Sequence, residues 1–316
     1  MRRKIILDCD PGMDDSMAIV MAAKASELEL LAVTTVCGNY PQEVTCVNAR
    51  KMLELLDRTD IPAAAGAAQP LMRRRPADPF THGADGQAEN FLPAPAMALS
   101  PHSAADEIID LARRYPHEVT VLCTGPMTNL AAALQKEPAL AEFLSGVIAI
   151  SGAFGFNEAS FANATGDTPQ SEWNVYVDPE AADIVYRSGI PLTALGLDVA
   201  TCLSSDFTPA ELAALEQSPR PEARFLRQAI RYVNGRGYAS YCTVIDCMAV
   251  AYALDPSLVR TQLCRVGIET KDGLTLGMTV RDGRHHHVWE HLPLVQVGVA
   301  ADDRRFLELV IRLILQ

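Results

Sequence analysis

The sequence predicts an α/β fold: an open, mostly parallel, Rossmann-like sheet flanked by helices, with a few antiparallel strands near the C-terminus. Three observations predict it. Strand-like and helical runs alternate through the first third, the βαβαβ order of a parallel sheet. Asp10, Asn39, Thr124, Ser151 and Asp198 each follow the end of a predicted strand, and the strand ends of a parallel sheet gather on one edge. No repeat, low-complexity tract or linker composition interrupts the 316 residues, so one domain over residues 1–316 is expected.

Residues 4–7 form an apolar strand, and the spacing of Met17, Ala18, Ile19, Val20 and Ala22 makes 14–24 helical. Residues 28–36 give a second strand, ending at Cys37-Gly38-Asn39. An amphipathic helix over 42–56 and a short strand over 61–65 follow. Residues 66–101 are rich in Pro, Gly and Ala, and an irregular segment of this length in a compact domain serves as a lid or binding loop. Helix resumes at 103–114, and 118–123 (EVTVLC) is a strand that turns through Thr124-Gly125-Pro126-Met127-Thr128-Asn129 into a helix at 130–135. Residues 146–150 are a buried strand, followed by a second loop to about Ser171. Pro179 opens a helix to Arg187 at a first-turn position, where its missing N–H costs nothing. A strand over 191–197 ends at Asp198, 208–237 is polar and helical, and 243–254 is an apolar helix carrying a lone acid, Asp246. Residues 265–270, 275–281 and 294–299 read as C-terminal strands, some antiparallel, and 304–315 as a closing helix.

Composition bounds the partners. The chain is 49% hydrophobic and 21% charged, with a formal net charge of −12. That balance argues against a nucleic-acid backbone or an anionic membrane and fits a small neutral or cationic ligand or a metal ion. The 8 Cys form no CxxC pair, so reduced, buried thiols of a cytoplasmic protein are expected, without disulfides or a zinc site. The basic start, Met1-Arg2-Arg3-Lys4, precedes an apolar run too short for a signal segment. No stretch approaches the roughly 18 apolar residues of a membrane span.

The densest chemistry lies in Asp8-Cys9-Asp10-Pro11-Gly12-Met13-Asp14-Asp15, four carboxylates on one strand-to-helix turn. Pro11-Gly12 supplies the bend. Four negative charges there repel one another, and a hard divalent cation with oxygen ligands would offset the repulsion. A capped helix with solvated acids accounts for one or two of them, not for four beside a buried strand. Asp246 points the same way, because an acid within an apolar helix is costly to bury unpaired.

This octet resembles the signature of the calcium-dependent nucleoside hydrolases, the inosine-uridine preferring family, and the resemblance runs over nearly the whole chain. It implies cleavage of the N-glycosidic bond of a ribonucleoside by a calcium-bound water, releasing free base and ribose, in nucleoside salvage or catabolism. Asp10, Asp15, Asp246 and the Thr124 carbonyl match the family's Ca2+ ligands, and Asp10 also matches its general base. Asp14 and Asn39 match the ligands of the ribose 2′- and 3′-hydroxyls. Glu172 and Asn174, in Glu-Trp-Asn-Val-Tyr-Val-Asp-Pro-Glu-Ala-Ala, match the pair on the 3′ and 5′ side. A ring of carboxylates suits the positively charged, oxocarbenium-like sugar of such a cleavage. His82, in Thr-His-Gly-Ala-Asp-Gly, matches the mobile loop near the base, and Tyr232, Arg236 and Tyr238 fall where a second flexible segment closes over it. A homodimer or homotetramer is implied.

The chain departs from the family pattern at three places. The His that precedes the last metal-binding Asp, the leaving-group acid of the best-known members, is Ile245 here. Proton donation to the base then falls to His82, a tyrosine, water, or an aromatic stack that raises the base's proton affinity. The Met-Gly-Gly turn reads Ser151-Gly152-Ala153. The segment 164–169 lacks the Asn that precedes Thr-Pro at the sugar's 5′ end, leaving Asp167 or Asn163 as substitutes and a 5′-modified ribosyl compound as an alternative substrate. Two further readings follow: a nucleoside-binding protein without turnover, motivated by Ile245, and a DxD phosphotransfer enzyme, for which no Lys or Arg phosphate clamp is apparent. His285-His286-His287 reads as a polar turn and strand rather than a metal site, and Arg73-Arg74-Arg75 as a solvated loop or an intersubunit contact.

Overall fold

The computed structural model describes residues 2–78 and 81–316. Strand β1, Arg3–Cys9, is apolar on both faces. Ile5, Leu7 and Cys9 enter one hydrophobic layer and Ile6 the other, as a strand at the centre of a doubly covered sheet must. Around it lie β2 (Leu28–Thr35), β3 (Ala63–Ala65), β4 (Val119–Cys123), β5 (Gly146–Ile150), β6 (Leu192–Leu195), β7 (Val259–Ile268), β8 (Thr279–Arg281) and β9 (Leu294–Ala301). The order across the sheet is β3-β2-β1-β4-β5-β6-β9-β7-β8. Pairing is parallel from β3 to β9, while β7 and β8 are antiparallel additions. This is the expected Rossmann-like sheet, with its order reversing between β1 and β4. Ligands of open α/β sheets bind at that switch point, beyond the carboxyl ends of the strands.

Helices cover both faces. Met13–Lys24, Pro221–Asn234, Cys247–Leu254 and Asp303–Leu315 pack into the layer that holds Leu7, and Ala104–Arg114, Thr128–Lys136 and Pro179–Arg187 into the layer that holds Ile6. Their starts are set locally. Gly12 caps Met13–Lys24, with Asp15 accepting the Gly12 N–H at 3.1 Å. Ser103 caps Ala104–Arg114, and Asp178 caps a helix whose first residue is Pro179. All eight cysteines are free, most of them buried. Among the described residues no helix is long and apolar enough to cross a membrane.

Several elements differ from the sequence reading, three of them for a clear physical reason. β7 begins at Val259 rather than 265, and a register shift between Arg260 and Thr261 breaks the alternation that marks a strand. The polar stretch over 208–237 is two helices, Pro209–Gln217 and Pro221–Asn234, because each Pro can start a helix but not continue one. The apolar stretch over 243–254 is a 3₁₀ turn, Ser240–Val244, followed by the helix Cys247–Leu254, with Asp246 at the N-cap between them. Asp246 therefore sits at a helix start, where the N-terminal dipole favours a negative charge, not within a helix.

Candidate active site

The turn after β1 places Asp10, Asp14 and Asp15 at the switch point, and the start of Cys247–Leu254 brings Asp246 in from far along the chain. All four acids are buried. Oxygens of Asp14, Asp15 and Asp246 lie within 4.8 Å of one another, a group able to hold a metal ion. Asp10 adjoins this group with its carboxylate lodged between two glycines. A Cβ on Gly38 would collide with Asp10 Oδ2, and one on Gly125 would lie 2.7 Å from Oδ1. Asp10 Oδ2 accepts the Asn39 N–H at 2.6 Å, while Oδ1 is buried without a partner.

Burial dominates the electrostatics. Desolvation first, then the repulsion of neighbouring acids, holds the Asp10 and Asp246 carboxyls well above the usual carboxylate range. Burial likewise pushes Asp14 and Asp15 up to about 6. Among the described residues no Lys or Arg hydrogen-bonds any of the four. An all-oxygen set, mutually repelling and with one orphaned oxygen, fits a hard divalent cation.

Neighbouring strand ends complete the rim. Asn39, after β2, reaches Asp10 O at 3.3 Å and Asp15 Oδ2 at 3.5 Å through Nδ2. Thr124, after β4, donates from Oγ1 to Asp15 Oδ1 at 2.7 Å, and its carbonyl accepts from Asn174 Nδ2 at 2.8 Å. Asn174 Nδ2 also reaches Ile150 O at 3.0 Å and so ties β4 to β5. Glu172 caps the short helix Trp173–Val177, taking the N–H groups of Asn174 and Val175, and also takes that of Gly152. Burial raises its carboxyl to about 7 against the pull of those three donors.

His82 is not solvated. It is buried over Gly12, where a Cβ would overlap the imidazole ring. Its Nδ1 accepts the Met13 N–H at 3.2 Å and lies 3.7 Å from Asp14 Oδ1. Accepting at Nδ1 leaves the proton on Nε2, and burial lowers the pKa so that the ring is neutral. Ile245 packs against the hydrophobic layer.

The remaining candidates separate. Tyr232 approaches the His82 loop, its ring 3.3 Å from where a Cβ on Gly83 would stand, and Arg236 stacks on Tyr232 at 4.1 Å. Tyr238 is largely exposed. Ser151 Oγ meets Tyr186 Oη at 3.0 Å. Asn163 turns to the Thr201 carbonyl at 2.8 Å, and Asp167 is exposed. The sequence reading missed the support beneath the acids. Asp8 Oδ1 accepts from Thr34 Oγ1 at 2.6 Å and Asn129 Nδ2 at 2.7 Å. Asn129, at the start of the helix after β4, carried no signal, since only the sheet order brings it onto Asp8. Tyr40, whose hydroxyl donates to Gly83 O and fastens the His82 loop, carried none.

Comparison with known proteins agrees with this geometry. Residues 5–308 match the family model described as inosine-uridine preferring nucleoside hydrolase. A pyrimidine-specific ribonucleoside hydrolase, RihA, of Shewanella sp. (strain MR-4) is 38% identical over 288 residues, covering 89% of this chain and 87% of the relative. A plant nucleoside hydrolase, PpNRh1, superposes with a TM-score of 0.88 at 31% identity, covering 100% of this chain and 99% of that one. A purine-preferring ribonucleoside hydrolase from Gardnerella vaginalis superposes at 0.85 and 30% identity, covering 98% of each. With its acids gathered at the sheet's switch point and a family match over nearly its full length, the chain belongs to the inosine-uridine preferring nucleoside hydrolase family.

Proposed function

We propose that this protein hydrolyses the N-glycosidic bond of ribonucleosides, giving free base and ribose, with Ca2+ as its metal and pyrimidine ribonucleosides as its first substrates. The observation that carries the reading is the convergence of Asp14, Asp15 and Asp246, whose oxygens lie within 4.8 Å of one another, beside Asp10, whose buried Oδ1 has no partner. The donor set is hard and all oxygen, which fits calcium, with Asp10, Asp15, Asp246 and the Thr124 carbonyl as its holders. When bound, the cation supplies charge compensation and an acidified water.

The chain's own groups do the rest. Asp10 accepts the proton of the attacking water at Oδ1, since Oδ2 is occupied by the Asn39 N–H. Asp14 and Asn39 orient the sugar through its 2′- and 3′-hydroxyls, and Glu172 with Asn174 holds the opposite side. Of these groups Asp14 and Glu172, when ionised, place negative charge around the developing oxocarbenium ion. Ile245 has no proton to give, and the His82 Nε2–H is the donor we assign to the departing base.

The pyrimidine assignment rests on the RihA relative, since the structural neighbours include a purine-preferring enzyme. One nucleoside-hydrolase-like domain over 1–316 carries the activity. Homodimer or homotetramer formation is supported by Leu263 and Leu294, half exposed on the adjacent strands β7 and β9. A cytoplasmic location accords with the free cysteines. The test is ribose release from uridine, cytidine, inosine and adenosine. Turnover that favours the pyrimidine pair is expected. Tight binding of all four without ribose release would instead make the protein a nucleoside-binding module.

A further inference from the structure

Asp198, beyond the end of β6, lies outside the acid cluster, yet it is buried and accepts three backbone N–H groups. Phe154 N reaches Oδ2 at 2.7 Å, and Phe156 N and Asn157 N reach Oδ1 at 2.6 and 3.1 Å. The turn so held leaves β5 at Ser151. The antiparallel addition grips it from the other side. Thr279 Oγ1 accepts the Ala153 N–H and donates to the Ala153 carbonyl, both at 2.9 Å. Arg281 Nε donates to Phe154 O at 2.9 Å, with its guanidinium 4.3 Å over the Phe156 ring. The Gly152 carbonyl accepts the Leu197 N–H at 2.8 Å.

One group of this turn faces the site. Gly152, at φ +87°, directs its N–H to Glu172 Oε2 at 3.2 Å. That left-handed conformation favours glycine, and a Cβ there would lie 2.7 Å from the Phe154 ring. The N–H is therefore aimed by a backbone that Asp198 and Thr279 fix from opposite sides.

We propose that Asp198 is a positioning residue for sugar binding, acting through the 152–157 turn to hold the Gly152 N–H against Glu172. The proposal rests on the reading of Glu172 as a sugar contact. Glu172 needs such donors, because burial raises its carboxyl to about 7 while its three N–H bonds pull the other way. Tyr186, whose hydroxyl meets Ser151, is the titratable side chain facing it from the Pro179–Arg187 helix, and burial raises its phenol further so that it stays neutral. Losing one donor raises Glu172 again.

The experiment is a double-mutant cycle between Asp198→Ala and Glu172→Gln in the calcium-loaded protein, read by KM, kcat and the pH profile of kcat/KM. Asp198→Ala is expected to raise KM about tenfold, the worth of one buried hydrogen bond to a charged group, with a smaller loss in kcat. The acidic limb of its profile moves to higher pH. In the Glu172→Gln background it adds little to KM, because the two act through one contact. Asp198→Asn, which keeps one acceptor oxygen, gives an intermediate effect, and Thr279→Val moves the same limb in the same direction if Asp198→Ala does not fold. Additive effects with an unmoved acidic limb overturn the proposal and leave Glu172 a sugar contact. A Glu172→Gln variant with unchanged KM overturns the role of Glu172 and the proposal with it.

Discussion

The two oxygens of Asp10 differ, and the difference decides which substitution is informative. Asp10→Asn retains a carbonyl oxygen for the Asn39 N–H and loses the proton acceptor on the other side. We expect kcat to fall about 10²-fold or more, the scale of a lost general base. Affinity for a ribosyl inhibitor should change far less. Equal losses in turnover and inhibitor binding would remove Asp10 from the base role. At this scale most of the acids were legible, because Asp10, Asp14 and Asp15 after an apolar strand, and Asp246 in an apolar run, are too costly to bury without a cation to share, whereas Asp8 belongs to β1 itself and bonds Thr34 and Asn129 through Oδ1. Their supports were not. Thr34 and Asn129 are ordinary residues for a strand and a helix start, and only the sheet order brings both onto Asp8. Asn163 and Asp167 were named as substitutes for an Asn missing before Thr168-Pro169, and a sequence does not show that Asn163 turns towards the Thr201 carbonyl.

Among the elements, the loop from β2 to the helix Gln42–Leu55 presses the Gly38 backbone against Asp10. Glycine is needed there for close approach rather than for an unusual φ. Gly38→Ala is expected to displace the Asp10 carboxylate and the Asn39 amide together, lowering kcat/KM by roughly as much as a misplaced catalytic group does, about 10²-fold. The melting temperature should fall only modestly, and an unaffected kcat/KM would show that the loop does not set Asp10. The parallel strands were readable from their apolar runs because both faces are buried. The start of β7 and the break at Asp246 were not. The register shift near the start of β7 breaks its alternation, and a 3₁₀ turn joined to a helix keeps the helix's apolar composition.

Over the whole molecule, the buried acids make stability depend on pH and on metal together. Asp8, Asp14 and Asp15 are raised to about 6 and Glu172 to about 7. Between about pH 4 and pH 7 the folded chain keeps protons that an unfolded chain has released, so raising the pH through that window costs the metal-free fold stability. His82, kept neutral by burial, opposes the trend below about pH 6.5. Asp60, Asp106 and Asp282, lowered by their Arg or Lys partners, act below the window. Chelated protein should therefore melt at a lower temperature at about pH 7.5 than at about pH 5.5. Saturating calcium should raise the melting temperature more at the higher pH. A melting temperature independent of pH with and without calcium would mean that the acids do not share a buried, repelling cluster. The most direct measurement is ribose release from uridine by fully chelated protein, titrated back with calcium, beside an Asp246→Ala variant treated the same way. The account predicts no turnover without the ion, recovery at about one calcium per chain, and no recovery in the variant. Full turnover by metal-free protein, or normal calcium recovery without Asp246, would contradict it.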